Sequence, residues 1–142
     1  MKIAIGCDHG GFALKTKLAD YLKNKGVEVF DEGTDSLDSC DYPVFAKRVA
    51  SRVAGGECDF GVLVCTSGVG MAIVANKVKD ARAVNAHNAY GAEMSRRHNN
   101  CNVICFGEKQ VDFETASACL EIFLNTPFDG GRHTKRVCMF EE

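Results

Sequence analysis

The chain has little that would suit it to nucleic acid, a membrane or a structural metal. Its 17 basic and 19 acidic residues leave a net charge of -2, so there is no basic excess and nucleic acid is not an expected partner. A balanced total still allows local basic groups to bind a small phosphate. No apolar run approaches the roughly 20 residues of a membrane span. Met1-Lys2-Ile3-Ala4-Ile5 leads straight into Gly6-Cys7-Asp8 with no signal-peptide pattern. The expected location is therefore cytoplasmic. Cys-x-x-Cys is also missing, although there are eight cysteines, at positions 7, 40, 58, 65, 101, 105, 119 and 138. Structural zinc sites are usually built from two tight ligand pairs, so no metal is expected, and a reducing compartment would keep these thiols free. Cys105 and Cys119 stand in apolar stretches, where a buried cysteine behaves as a small hydrophobe. Low-complexity tracts, clear repeats and linkers are lacking as well. What is present is 142 residues, 46% hydrophobic and 25% charged, which fits one domain over 1–142 with a sizeable core.

Short apolar runs alternate with amphipathic segments, the pattern of βαβ units around a parallel sheet. Strands are expected at 2–6, 27–30, 60–65, 81–86 and 102–106, where residues are β-branched, aromatic or small, as in strands covered on both faces. Five helical patterns lie between them. The first aligns Leu14, Leu18, Tyr21 and Leu22 and stops at Gly26. The second opens at Pro43 and repeats Phe45, Val49 and Val53. The third runs over about 70–77 and the fourth over about 88–98. The fifth carries Ala116, Cys119, Leu120, Phe123 and Leu124. The tail, 128–142, is basic in its middle and ends acidic.

Sheets of this kind gather ligand groups beyond the carboxyl ends of their strands. Three segments with reactive side chains are assigned to such places: Gly6 to Gly11, Cys65 to Gly70, and Ser95 to Asn100. Cys65-Thr66-Ser67-Gly68-Val69-Gly70 joins a strand to a helix. Its two glycines let the backbone approach a ligand, and the helix start offers free N–H groups to an oxyanion or phosphate. Cys65 stands just before the positive end of that helix, where negative charge on sulfur is favoured. A tight turn with a buried cysteine would look the same, and no Gly-Lys-Ser/Thr follows to make a Walker loop. Asp8 can either cap the next helix or belong to a site. His98, at a helix end, suits a proton donor but also a solvated cap. His87 reads as a helix flank. Arg132 and Arg136 are four residues apart, on one side of any helix there, and suit a phosphate. A solvated basic tail would carry the same residues.

The order of these segments is more specific than any of them. Gly6-Cys7-Asp8-His9, Asp41-Tyr42-Pro43, Cys65 to Met71, Ala75-Asn76-Lys77, Arg96 to Asn100 and Gly130 to Val137 together resemble the type B ribose-5-phosphate isomerases over essentially the whole length. The resemblance implies a single-domain α/β/α three-layer sandwich with a five-stranded parallel sheet, Rossmann-like, in strand order 2-1-3-5-4. It implies a homodimer or dimer of dimers with active sites between subunits, a sugar phosphate as substrate and no cofactor. By motif position Cys65 corresponds to the base that moves the substrate proton, with Ser67 placed to relay it. Thr66, Ser67, Gly68, Val69 and Gly70 correspond to the anion loop. His98, with Asp8, corresponds to the ring-opening group. Asp8, His9 and Asn99 correspond to substrate contacts, and Lys109, Arg132 and Arg136 to phosphate ligands.

A branch of the family uses a glutamate base just after the glycine loop. Here Met71 stands there and cannot take a proton, which leaves Cys65. The related galactose-6-phosphate isomerases often lack one or more of the Asp, His and Cys groups present in this chain, which favours a pentose enzyme over a hexose-6-phosphate isomerase. Three positions depart from the family's pattern. Thr66 replaces a usual glycine, so its side chain could crowd the sugar. Ser67 replaces a common threonine and keeps the hydroxyl. Lys109 replaces a common arginine and keeps charge without the planar fork.

Overall fold

The computed structural model describes residues 1–141; only Glu142, at the end of the expected domain and tail, lies outside the described residues. Five strands, β1 (Lys2–Cys7), β2 (Glu28–Asp31), β3 (Phe60–Cys65), β4 (Ala83–Asn85) and β5 (Val103–Gly107), form one sheet in the order β2-β1-β3-β5-β4. Every pairing is parallel. Parallel neighbours need crossovers, and helices supply them. These are α1 (Phe12–Asn24), α2 (Tyr42–Ala54), α3 (Val69–Ala75), α4 (Ala89–Arg97) and α5 (Phe113–Asn125). The basic tail forms α6 (Arg132–Cys138). No helix among the described residues is long and apolar enough to cross a membrane.

Period-two alternation divides the strand residues between two cores. Ile3, Ile5, Val62, Val64, Ile104 and Phe106 face one side, packed with Leu14, Leu18 and Leu22 of α1 and Leu120 and Phe123 of α5. Ala4, Leu63, Cys65, Val103 and Cys105 face the other, against Val49 and Val53 of α2 and Met71 of α3. Each fully buried leucine or phenylalanine contributes roughly 1.5–3 kcal/mol relative to exposure. The two cores hold the strand ends, and hence the loops that follow them, in a fixed frame.

β3 matches its expected bounds, and the ends of the other four strands differ from expectation by at most two residues. β4 is shorter than 81–86 because it is an edge strand with a single neighbour. The ladder continues weakly past it, with Val103 donating to the Arg82 carbonyl and Ala86 to that of Cys105. β1 gains Cys7, which stands in register with Val64 of β3 and is also held by residues 33 and 34: Cys7 donates to the Gly33 carbonyl and Thr34 donates to that of Cys7.

Candidate active site

At the carboxyl edge of the sheet, the ends of β1 and β3 open into a pocket of about 380 Å³. Asp8, Tyr42, Cys65, Thr66, Ser67 and Gly70 line it, with Val69 and Ile73 of α3 at one side. Cys65 closes the floor and is 5% exposed. Its Sγ accepts the N–H of Gly68 at 3.2 Å. That contact needs residue 68 in a left-handed conformation, φ 79°, which glycine adopts without a Cβ penalty. A Cβ there would also stand 2.3 Å from Oδ1 of Asn85. The rest of the loop is held by the neighbouring strands. The Cys65 carbonyl accepts the Glu108 N–H at 2.9 Å, and that of Thr66 accepts the Lys109 N–H at 3.1 Å. Asn85 Nδ2 donates to the Ser67 carbonyl at 3.2 Å, and Ser67 Oγ accepts from Val69 N–H at 3.3 Å. Gly107 lies so close that a Cβ there would be 2.5 Å from the Ser67 carbonyl carbon. The first turn of α3 leaves the N–H groups of Gly70 and Met71 without intrahelical partners, and Gly70 lines the pocket.

Asp8 is a cap, and it also lines the pocket. Its Oδ1 accepts the Gly10 N–H at 2.9 Å, capping a short 3-10 turn at His9–Gly11, and the carboxylate also lines the pocket. His9 is half-buried behind it, with Nδ1 accepting the Cys40 N–H at 3.2 Å. Burial pushes the other interior thiols up: Cys7 to about 12, Cys101 to about 11, and Cys58, Cys105 and Cys119 in the same direction. A thiol raised in this way forms its thiolate less readily, which disfavours it as a base.

His98 and Asn99 lie elsewhere, which corrects the assignment of Ser95 to Asn100 to the carboxyl edge. A crossover helix runs back against the strands, so α4 begins after β4 at the carboxyl edge and ends at the amino edge, where β5 starts. The Arg82 side chain, just ahead of β4, donates through Nε to the Asn100 carbonyl at 2.8 Å, which ties that turn to the amino edge. A nine-residue helix covers about 13 Å, so within one chain His98 is separated from Cys65 by roughly the height of the sheet. Asn99 lines a different cavity of about 360 Å³, with Asn76, Arg82, Ser95, Cys101 and Phe140.

The amino edge carries its own cluster. The His98 and His133 rings stack with centroids 4.3 Å apart and planes at 12°. Ligand atoms of His98, Asp129 and His133 lie within 4.8 Å of one another, the one group among the described residues with metal-like spacing. Its surroundings favour an anion instead. Arg97 Nε lies 3.2 Å from both carboxylate oxygens of Asp129 and holds that carboxyl below the usual range. Desolvation, then the charges of His98, Arg132 and Arg136, push the His133 imidazole down. Arg132 and Arg136 are exposed on α6, one turn apart as their spacing predicts. Arg96, inside the Arg-x-His-Asn-Asn motif, is an anchor: it donates to the carbonyls of Thr126 and Cys101 and to Asn100 Oδ1, fixing the turn that presents His98.

A profile described as Ribose/Galactose Isomerase matches residues 3–140. The chain belongs to the ribose/galactose isomerase family. It is 48% identical over 136 residues to Escherichia coli ribose-5-phosphate isomerase B, covering 96% of this chain and 91% of that protein. The structure of Clostridium thermocellum ribose-5-phosphate isomerase B superposes with a TM-score of 0.97 at 47% identity, covering 98% of this chain and 94% of that one. The Thermotoga maritima ribose 5-phosphate isomerase gives 0.96 at 43% identity, covering 98% and 96%. The family's fold, with the strand order expected above, is therefore the fold of this chain.

Within this family member, the carboxyl-edge pocket unites Asp8, Cys65, Thr66, Ser67, Val69 and Gly70, with Gly68 and the Lys109 backbone supporting the loop. His98, Arg132 and Arg136 gather at the other edge, and His9 and Asn99 line neither group. Two residues of the site escaped sequence reasoning. Tyr42 lies against Gly70, where a Cβ would be 2.6 Å from its ring, and its sequence signal was its place in Asp41-Tyr42-Pro43, to which no site role was assigned. Asn85 braces the Ser67 carbonyl; a polar residue ending an apolar strand at the carboxyl edge was the available signal.

Proposed function

We propose that this chain is an aldose–ketose isomerase that interconverts D-ribose 5-phosphate and D-ribulose 5-phosphate through a cis-enediolate. The observation that carries the reading is Cys65 at the pocket floor, its sulfur accepting the Gly68 N–H with the Asp8 carboxylate in the same pocket. The names of the relatives point to the same reaction.

The mechanism follows from what the reaction needs. Ring opening requires a proton on the ring oxygen and removal of one from the anomeric hydroxyl; His98 supplies the first and Asp8 assists with the second. Cys65 then takes the C2 proton. The C2–H electron pair becomes the C1=C2 bond of the enediolate, and the former carbonyl electrons settle on O1. Loop N–H groups stabilise that oxygen, and Ser67 relays a proton between O2 and O1. Cys65 returns its proton to C1 and the ketose forms. Arg132, Arg136 and Lys109 hold the phosphate, so binding energy far from C2 keeps the reacting carbon in register. Cys65 returns to C1 the proton it took from C2, while the proton that His98 gives to the ring oxygen and the one that Asp8 takes from the anomeric hydroxyl balance on the sugar, the two side chains resetting by exchange with water; no step calls on a metal or nucleotide.

His98 and Cys65 belong to opposite edges of the sheet, so this mechanism requires a second copy. We place the active site between subunits of a homodimer, alone or within a dimer of dimers, with the partner copy bringing His98, Asn99, Arg132 and Arg136 to the Cys65 pocket. Apolar surface beside the pocket supports this docking: Val69 is 51% and Ile73 56% exposed. The eight unpaired cysteines fit work in the reducing cytoplasm.

The test is a coupled assay of ribose 5-phosphate to ribulose 5-phosphate with EDTA present. Full turnover is expected. Loss of rate restored by one divalent ion would remove the metal-free mechanism, and faster turnover of allose 6-phosphate would replace the pentose assignment.

A further inference from the structure

Thr66 and Gly10 occupy one small volume. Thr66 lines the pocket next to the proposed base, where its side chain would crowd a ligand if it turned inward. A Cβ built on Gly10 would stand 2.2 Å from the Thr66 hydroxyl oxygen, far inside any contact real Cβ atoms make. The same Cβ would be 3.3 Å from both Asp8 Oδ1 and the Thr66 N–H nitrogen, tight but within reach of small shifts. Gly10 is not among the glycines with positive φ, so its backbone would accept an alanine. What excludes a side chain at position 10 is therefore the Thr66 hydroxyl. Gly10 itself sits in the 3-10 turn capped by Asp8, so the notch is anchored to a pocket residue.

We infer that Gly10 is a positioning residue: the notch left by its missing side chain receives the Thr66 hydroxyl and thereby keeps Thr66 from covering Cys65 and Asp8. Filling the notch turns the Thr66 side chain into the pocket, because the strand ends on both sides are held by the sheet. Shortening residue 66 to glycine makes the notch unnecessary. Positions 10 and 66 are thus coupled, and each tolerates a larger residue only when the other is small. The inference deepens the isomerase reading given above, since the pocket it keeps open is the one assigned to the sugar.

The test uses Gly10→Ala, Thr66→Gly and the double variant, with two readouts. One is the rate of Cys65 alkylation by iodoacetamide, followed on the peptide carrying that residue. The other is kcat/KM for ribose 5-phosphate. Gly10→Ala is expected to slow both by about 10-fold or more. The double variant is expected to match Thr66→Gly within about threefold, a coupling that separate sites do not show. If Gly10→Ala does not accumulate as folded protein, adding Thr66→Gly must restore folding. An equal loss from Gly10→Ala whether residue 66 is threonine or glycine overturns the inference, as does alkylation of Gly10→Ala at the unmodified rate. Alkylation needs no turnover, so a failed isomerase reading would appear as coupled alkylation without isomerase activity.

Discussion

The two ends of the sheet make their chemistry in opposite ways. At the carboxyl edge the groups proposed to react are buried and braced: Cys65 is held by Gly68, the loop by Glu108, Lys109 and Asn85, and Asp8 by its own turn. At the amino edge they are exposed or half-buried, on the end of α4 and on a short helix near the chain end, which is attached through contacts that include a histidine stack, the Arg97–Asp129 pair and the Asp80 N–H on Glu141. A braced site can hold a base over a carbon to within the tolerance proton transfer demands. An exposed cationic face is suited to capturing a phosphate and to being covered by another surface. Within one chain the two sets of groups stand at opposite edges of the sheet and do not meet.

Removing the base should have the largest effect. Cys65→Ala is expected to lower C2 proton exchange with solvent by about 10²–10⁴ while leaving the fold and ribose-phosphate binding nearly intact. Cys65→Ser should be almost as poor, because a serine hydroxyl is far less acidic than a thiol. Near-normal exchange in a folded, ligand-binding Cys65→Ala variant would exclude Cys65 as the base and make Asp8 the next candidate.

The comparison between edges becomes sharper with His98→Asn. This change should slow turnover of the cyclic aldose more than of an open-chain substrate, and equal losses on both would end the ring-opening role. Mixing unfolded and refolded Cys65→Ala with His98→Asn chains should restore activity that neither has alone, because a mixed dimer contains one intact composite site. No recovery in verified mixed dimers would mean that Cys65 and His98 do not meet across an interface.

A smaller effect is expected at the phosphate. Arg136→Ala should chiefly weaken binding, by about 1.5–3 kcal/mol for a lost charged hydrogen bond, with some loss in kcat. The effect should shrink on a sugar lacking phosphate. An equal relative loss on both sugars would make Arg136 structural.

The smallest effect concerns how α6 is attached. The folded His133 imidazole is held below its ordinary value by desolvation and by His98, Arg132 and Arg136. Between the folded value and the unfolded one, near 6.5, the unfolded state binds more protons, so attachment strengthens as pH rises through that window and weakens as pH falls. The protection factors for hydrogen exchange in residues 130–138, corrected for the intrinsic pH dependence of exchange, should therefore fall below about pH 6.5, and His133→Gln should flatten that dependence. A pH response unchanged in His133→Gln would assign it to another group.

Much of this was legible in the chain of residues. Strand and helix patterns follow from which side chains must leave water, so 60–65 was read to the residue and the other elements to within a few. Cys65, Ser67, Gly68 and Gly70 were readable because a glycine loop between strand and helix is a local feature. Asn85 and Tyr42 were not, because each touches the loop from an element distant in sequence. His98 was recognised as a residue but assigned to the wrong edge, since its helical position does not say to which end of the sheet the helix returns.

By itself the sequence determined the alternation of strands and helices, the two apolar faces of each covered strand, and the one cysteine placed before a glycine loop, because hydrophobic periodicity and backbone sterics act over a few residues. Tertiary structure alone decided which distant groups meet. The parallel crossovers send α4 back across the sheet and separate His98 from Cys65, and the packing of the β1 and β3 ends places the hydroxyl of Thr66 in the space left by Gly10. Such contacts depend on the spatial path of the backbone, which no local run of residues encodes.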